Sequence, residues 1–231
     1  MGKLIVFEGT DGTGKSTQFA LLTKRLQNEN VSFRRLQFPQ YLEPSSALIR
    51  MYLNGEFGEN PNDVNAYAAS TFYAVDRFAS YQRVWKNDYA SGGLILSDRY
   101  TTSNAVHQGG KLEGKAREEF FSWLYDLEFN RMGLPKPDLV LWLDMPVEIA
   151  ETLMRRRESD TVMSKNVENY FAKCTNQSAD QKCHGDINPA SGIRGRFFTH
   201  FTVFFFRYHS IRSFHRLFSA LNSSLFIKKY F

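Results

Sequence analysis

Hydrophobic and polar positions follow two different patterns along the first 157 residues. Short, nearly continuous apolar runs predict strands, and apolar residues at helical spacing predict helices between them. The predicted strands cover residues 4–7, 32–38, 94–97 and 139–144; one predicted helix follows the first strand, and the others cover residues 45–53, 63–88, 114–130 and 147–157. Strands that alternate with helices predict an α/β fold with a doubly wound parallel sheet and helices on both faces. Ligands bind such sheets at the carboxyl ends of the strands.

Two local features complete this prediction. Asp63 is the expected N-cap of the helix at residues 63–88. After the third strand, a polar stretch that contains Ser103 and His107 predicts a loop ending at Gly109-Gly110.

The last third of the chain departs from the alternating pattern. Residues 161–231 hold 11 of the 21 Phe, and ten Lys/Arg against three Asp/Glu. Residues 1–160 then hold 19 basic and 21 acidic side chains, so the net charge of +5 comes from the C-terminal segment alone. A uniformly basic nucleic-acid-binding surface is therefore not expected.

We interpret residues 1–160 as the core of the protein, and residues 161–231 as an atypical C-terminal segment. That segment is either part of the same domain or poorly ordered. The Phe-rich run at residues 197–206 has the length and apolarity of a buried strand, and equally those of an exposed aggregation-prone segment. A shifted reading frame would also explain the change in composition, and the coding DNA past codon 161 tests this.

Length and the remaining composition limit the class of protein. A chain of 231 residues suits one domain, and no run reaches the roughly 18 apolar residues of a membrane span. The N-terminus lacks a secretory pattern, and the two cysteines, Cys174 and Cys183, make no disulfide framework. These features predict a cytoplasmic location and no membrane partner.

The most informative stretch lies between the first strand and the first helix. Residues 9–16, GTDGTGKS, match G-x-x-x-x-G-K-[ST] at every fixed position. Glycines let backbone N–H groups surround an anion, and the following helix adds unpaired N–H groups and its positive dipole end. The alternative, a chance glycine turn, explains neither the motif nor its place between strand and helix. The motif predicts a P-loop NTPase fold that binds a nucleoside triphosphate, which is ATP if the resemblance described below holds. The predicted ATP-binding residues are Gly9, Thr10, Asp11, Gly12, Thr13, Gly14, Lys15, Ser16 and Thr17.

Two further positions have charges suited to phosphoryl transfer. Asp98 ends an apolar strand, where a carboxylate holds Mg²⁺ opposite the Ser16 hydroxyl. Asp144 ends the next strand in the same way, but Asp98 is followed by Arg99, whose guanidinium suits a phosphoryl acceptor. We therefore expect Ser16 and Asp98 as Mg²⁺ ligands, and Lys15, Asp98 and Arg99 as catalytic residues.

A run of three arginines closes the last predicted helix. Arg155, Arg156 and Arg157 are either a solvated helix end or lid residues that neutralise the transferring phosphoryl group, and we expect at least one in the second role. A zinc site at Cys174, Cys183 and His184 is disfavoured, because the spacing lacks a second pair of ligands.

Taken together, these residues resemble the thymidylate kinase family of P-loop nucleoside monophosphate kinases. The resemblance covers about residues 1–160, which it implies are a P-loop kinase core that includes the start of the lid. It rests on residues 7–17 (FEGTDGTGKST), Phe38-Pro39, residues 72–77 (FYAVDR), Asp98-Arg99-Tyr100, Ser103-Asn104 and Gln108-Gly109. The family phosphorylates dTMP with ATP and is homodimeric, so the resemblance implies ATP, dTMP and a second copy of the chain as partners.

The resemblance also implies roles for individual residues. Asp11 would meet the sugar hydroxyl of the monophosphate, and Arg99 would hold its phosphate. Tyr73 would stack on thymine and Arg77 would hydrogen-bond it. The full set of substrate-binding residues implied is Asp11, Phe38, Tyr73, Arg77, Arg99, Asn104 and Gln108.

Two positions bear on how the family pattern applies to the site. Gly12 stands where some members have arginine, which implies that the catalytic arginines are those of the lid. Gln40-Tyr41 stand where an arginine often follows the Phe-Pro pair.

Other activities stay open at this point. Another nucleoside monophosphate kinase would share the same motifs. An inactive nucleotide-binding module would result if the altered C-terminal segment removed part of the core. A GTPase is disfavoured because no N-K-x-D motif occurs.

Overall fold

The fold is built on one parallel sheet. A computed structural model of the chain describes residues 1–9, 11–145, 149–150, 152 and 202–207. The strands are β1 (Lys3–Glu8), β2 (Phe33–Gln37), β3 (Leu94–Asp98), β4 (Leu139–Asp144) and β5 (Thr202–Arg207). They pair in the order β2-β3-β1-β4-β5, and every pair is parallel. Strands are added first on one side of β1 and then on the other, so β1 marks the switch point where such sheets bind ligands.

Helices connect the strands. They are α1 (Lys15–Asn28), α2 (Ala47–Leu53, after a 3₁₀ turn at Pro44–Ser46), α3 (Ala66–Ser80), α4 (Lys86–Ala90), α5 (Thr101–Gly109) and α6 (Gly114–Tyr125). One π-helical turn, Tyr81–Trp85, joins α3 to α4, and another, Asp126–Arg131, extends α6. In the part of the chain that the structure describes, no helix has the length and apolarity to span a membrane. The predicted doubly wound α/β fold is confirmed.

Both faces of the sheet are covered, which explains the nearly continuous apolar runs. Alternate residues of β1 point to opposite sides, as the strand period requires. Leu4 and Val6 pack in a core cluster with Trp85. Ile5 and Phe7 pack in a second cluster that includes residues of α1.

The structure corrects one element of the sequence analysis and shifts another. Residues 101–109 form helix α5 rather than a polar loop, because their hydroxyl and amide groups find hydrogen-bond partners inside the fold. Helix α3 begins at Ala66, where the Asn65 side chain caps it by accepting the N–H of Ala68, so Asp63 is not the cap. Asp63 instead accepts the N–H of Asn60 in the preceding turn.

The Phe-rich run contributes the edge strand of the sheet. Residues 202–207 pair with β4 along its whole length, from Leu139 opposite Thr202 to Asp144 opposite Arg207. The strand interpretation is thus confirmed for this part of the run. Residues 149, 150 and 152 have helical backbone, in agreement with the predicted helix at 147–157.

Candidate active site

The loop after β1 has the backbone that its glycines predict. Gly9, Gly12 and Gly14 have φ angles of 149°, 81° and 79°, a region that side-chain-bearing residues rarely adopt. A Cβ on Gly12 would lie 2.5 Å from the carbonyl oxygen of Ala150, so the loop also packs closely on the segment after β4. Thr10 lies outside the described residues.

Helix α1 begins at the end of this loop. Its first residue, Lys15, is 7 % exposed, whereas Ser16 and Thr17 are exposed at the helix N-terminus. Solvent thus reaches the start of α1 beside the loop, and the first N–H groups of a helix have no partner within it, as an anion site requires.

Arg99 meets this loop from the neighbouring strand. Its backbone is left-handed, with φ at 67°, and its N–H donates to the carbonyl of Phe7 at 2.9 Å. From its side chain, Nη2 donates to Asp11 Oδ1 at 2.5 Å, and Nη1 lies 3.2 Å from both Ser103 Oγ and His107 Nε2. A non-glycine residue at positive φ is strained, and such strain is common at functional sites. The predicted acceptor arginine and the P-loop thus lie side by side.

The charges of this group shift one another's pKa values. Burial and the positive charge of Arg99 together lower the pKa of Lys15. Burial alone would raise the pKa of Asp11, but Arg99 and Lys15 outweigh it, and the pKa lies below its ordinary value. Burial would lower the pKa of Arg99, but the carboxylates of Asp11, Glu8 and Asp98 outweigh it and raise the pKa. Asp11 is therefore ionised and Arg99 charged at neutral pH.

Asp98 fits a divalent cation. It is 5 % exposed, and its Oδ1 has no hydrogen-bond partner among the described residues. Burial raises the pKa of Asp98, and Lys15 offsets this only in part. A buried carboxylate oxygen without a donor is suited to a metal ion or a metal-bound water.

No group of three or more His, Cys, Asp or Glu side chains suited to a metal occurs among the described residues. This is compatible with Mg²⁺, which is commonly held by one or two carboxylates together with substrate phosphates. Asp144 also ends its strand at this edge of the sheet.

Glu8 is a site residue that the sequence analysis missed. It is 1 % exposed and accepts three hydrogen bonds, from the N–H of Tyr100 at 3.0 Å and the hydroxyls of Thr102 at 2.5 Å and Ser103 at 2.7 Å. Glu8 therefore fixes the start of α5, and with it Arg99, to the end of β1. An acidic residue at the end of a fully apolar strand was the available signal, since a buried carboxylate needs several donors.

The residues implied for base recognition lie on α3 and α5. Asn104 Nδ2 donates to the carbonyl of Ser70 at 3.1 Å and so joins the two helices. Gln108 is 5 % exposed, and its Oε1 has no partner among the described residues. Tyr73 is half-buried beside the cluster of Tyr52, Val64 and Ala69. Arg77 is 2 % exposed and forms an ion pair with Glu128.

The segment after β2 is held against α3. Phe38 is 3 % exposed and packs on Tyr100 with ring centroids 6.0 Å apart, directly before a cis peptide bond to Pro39. Gln40 donates from its backbone N–H to Asp76 Oδ2 at 2.8 Å and from Nε2 to Ser80 Oγ at 2.9 Å. The Gln40 side chain therefore does not replace the arginine that often follows the Phe-Pro pair.

Several predicted residues cannot be placed. Arg155, Arg156, Arg157, Cys174, Cys183 and His184 lie outside the described residues.

Comparisons with known proteins agree with this arrangement. A family model described as thymidylate kinase matches residues 7–192, beyond the residue 160 at which the sequence resemblance was expected to end. Thymidylate kinase of Mycobacterium tuberculosis (strain ATCC 25618 / H37Rv) is 33 % identical over 155 residues, which are 67 % of this chain and 71 % of the relative. Thymidylate kinase of Nostoc punctiforme is 31 % identical over 169 residues, or 72 % and 74 % of the two chains. Among solved structures, thymidylate kinase from Candida albicans has the same fold, with a TM-score of 0.61 at 22 % identity over 96 % of this chain and 92 % of that one.

Proposed function

Because the chain belongs to the thymidylate kinase family, we propose that it transfers the γ-phosphoryl group of ATP to dTMP and yields ADP and dTDP. The observation that carries this proposal is the contact between Arg99 and Asp11 at 2.5 Å, since it sets an acceptor-binding arginine against the P-loop. The two phosphate groups that react must approach each other there, at the carboxyl edge of β1 and β3.

Positioning and charge account for the chemistry. The N–H groups of the loop at residues 9–14 and of the start of α1 bind the triphosphate, and Lys15 neutralises its terminal phosphates. Arg99 binds the phosphate of dTMP and aligns its oxygen with the γ-phosphorus. The lid arginines, Arg155 to Arg157, add charge to the transferring group. No general base is required, because the transition state forms few new bonds to the acceptor.

Mg²⁺ belongs to the same proposal. Ser16 and Asp98 would hold it, and when bound it neutralises charge on the phosphates. The Oδ1 of Asp98, which has no hydrogen-bond partner among the residues that the structure describes, supports this choice.

The proposal includes a homodimer in the cytoplasm. Helix α3 exposes Tyr67, Val75 and Phe78 at helical spacing along one face, with 37 %, 41 % and 37 % of each residue accessible. An apolar stripe of this kind suits a second copy of α3. Size-exclusion chromatography with light scattering tests the dimer, and Phe78→Glu is expected to shift it toward monomer.

Turnover by the full chain tests the activity. In a coupled assay with ATP and a panel of nucleoside monophosphates, dTMP is expected to be the preferred acceptor, and the variants Lys15→Ala and Arg99→Ala are expected to lose activity. Preference for another base would favour the alternative nucleoside monophosphate kinase. Thermal stabilisation by ATP without any product would favour an inactive nucleotide-binding module.

A further inference from the structure

We propose that Glu128 is a positioning residue for base selection, which holds the Arg77 guanidinium so that its free edge meets the base of the acceptor. The inference rests on the proposed function, since it takes Arg77 as the residue that reads thymine.

The pair is bidentate and fully enclosed. Arg77 Nε donates to Glu128 Oε2 at 2.7 Å, and Arg77 Nη2 donates to Glu128 Oε1 at 2.6 Å. Their side chains are 2 % and 0 % exposed. Two parallel hydrogen bonds fix the plane of the guanidinium as well as its position.

This geometry leaves one edge of Arg77 available. A guanidinium has five N–H bonds in a rigid fork, and the pair with Glu128 uses one on Nε and one on Nη2. Nη1 donates to no described residue. The unused donors therefore point away from Glu128, and they suit a carbonyl oxygen. Thymine has a carbonyl oxygen at C4, which accepts a hydrogen bond, whereas cytosine has an amino group there, which donates one. The unused N–H groups of Arg77 can therefore hydrogen-bond to C4 of thymine but not to C4 of cytosine.

Glu128 also contacts the phosphate side of the site. Its Oε2 accepts the hydroxyl of Thr101 at 2.7 Å, and Thr101 begins α5 two residues after Arg99. The carboxylate thus ties α3 to the start of α5. Burial alone would lower the pKa of Arg77, but the charge and hydrogen bonds of Glu128 outweigh it and raise the pKa.

The backbone around Glu128 has an unusual conformation. It lies in the π-helical turn Asp126–Arg131 that extends α6. Single-turn π segments of helices occur frequently at functional sites. Here the segment contains Glu128, the partner of Arg77.

A purely structural ion pair would behave differently. Its loss would lower stability and would reduce the use of every acceptor by the same factor. A positioning role predicts a change in the preference between acceptors, which stability alone does not alter.

The test compares dTMP with dCMP as acceptors for the full chain and for Glu128→Gln, which keeps the shape of the side chain and removes its charge. The ratio of kcat/KM for dTMP over dCMP is expected to fall about tenfold or more, chiefly through KM for dTMP. The KM for ATP is expected to stay within about twofold of the wild-type value. Glu119→Gln is the matched control, because Glu119 lies on the same helix in an exposed pair with Lys115.

Further variants test the positioning role even if Glu128→Gln does not fold. Glu128→Asp keeps the charge but draws the carboxylate back, and it is expected to lower the ratio partway. On an Arg77→Gln background, Glu128→Gln is expected to change the ratio no further, since it acts through Arg77. Removing both charges also avoids a lone buried ion.

The outcomes separate the two proposals. The positioning role is overturned if folded Glu128→Gln keeps the wild-type ratio of kcat/KM for dTMP over dCMP. If Glu128→Gln does not fold, the same result with Glu128→Asp overturns it. An equal loss of kcat/KM for both nucleotides also overturns it. A wild-type chain without preference for dTMP overturns the proposed function itself.

Discussion

Arg99 donates to Asp11 across 88 positions of the sequence, with 2.5 Å between Nη2 and Oδ1. The contact exists because β1 and β3 are parallel neighbours in which Phe7 is opposite Asp98, so the residues that follow the two strands meet at one edge. Asp11 neutralises the guanidinium in the absence of substrate. Ser103 and His107 contact the guanidinium on its other side, so Arg99 is already oriented for the phosphate that the proposed function assigns to it.

Replacement of Arg99 by Lys is expected to lower kcat/KM for dTMP by about 10², because one ammonium cannot make the two parallel hydrogen bonds of a guanidinium. The KM for ATP should change little. Steady-state kinetics with each substrate varied in turn measures both. Arg83→Lys is the matched control, since Arg83 is 67 % exposed. Equal losses in both KM values would show that Arg99 supports the whole site rather than the acceptor.

Replacement of Lys15 by Met is expected to lower kcat by about 10²–10³, the loss typical when one preorganised charge-stabilising donor is removed. Lys15 is 7 % exposed and Met has a similar length, so the fold should persist. Lys24→Met serves as the control, because Lys24 is an exposed residue of the same helix. A coupled assay measures the turnover, and far-ultraviolet circular dichroism shows whether the variant is folded. Full activity in a folded Lys15→Met would contradict the assignment of the loop.

Asp98→Asn is expected to abolish most activity while it raises the melting temperature of the ligand-free protein. Burial raises the pKa of Asp98, so the folded state holds this proton more tightly than the unfolded state does. Stability then falls as the pH rises from the unfolded-state pKa of about 3.9 through the folded-state value. At neutral pH the ionised carboxylate is destabilising, and an amide removes that effect.

Thermal melting at pH 7 measures this change. Asp126→Asn provides a control of opposite sign, because hydrogen bonds from Asn130 and Arg131 lower the pKa of Asp126. A lower melting temperature for Asp98→Asn would show that its carboxylate stabilises the fold.

Sequence patterns predicted strands β1 to β4. Strands β1, β3 and β4 are largely apolar because they are buried, whereas β2 lies at an edge of the sheet and exposes Arg34 and Arg35. The P-loop was located from its glycines, which allow the positive φ angles that this turn requires. Helix α5 was predicted as a loop, because its residues are mostly polar. Its Thr, Ser and Asn residues look solvated, yet Thr102 and Ser103 donate to Glu8, 94 and 95 positions away. Long-range partners of this kind leave no local pattern.

The same limit applies to the base side of the site and to the last strand. The buried partner of Arg77 is Glu128, 51 residues later, and the sequence shows it only as one acid in an amphipathic helix. The Phe-rich run was interpreted either as a buried strand or as an exposed aggregation-prone segment. Its pairing with β4 shows that residues 202–207 form a strand. Apolarity alone could not choose between them.

Gly12→Ala is expected to lower the free energy of unfolding by more than Gly14→Ala does. Both glycines have nearly the same φ, 81° and 79°, so the backbone strain of about 1–2 kcal/mol should be shared. A Cβ at Gly14 meets no heavy atom of the described residues within 4 Å, whereas a Cβ at Gly12 lies 2.5 Å from the carbonyl oxygen of Ala150. Overpacking against a backbone atom typically adds about 1–3 kcal/mol.

Urea unfolding without nucleotide measures the free energy of unfolding of both variants. Because the two glycines have nearly the same φ angle, Gly14→Ala is the control for the backbone strain in Gly12→Ala. Ala150→Gly leaves that carbonyl in place and should therefore not rescue Gly12→Ala. Equal losses in Gly12→Ala and Gly14→Ala would contradict the close packing of the P-loop on the residues around Ala150.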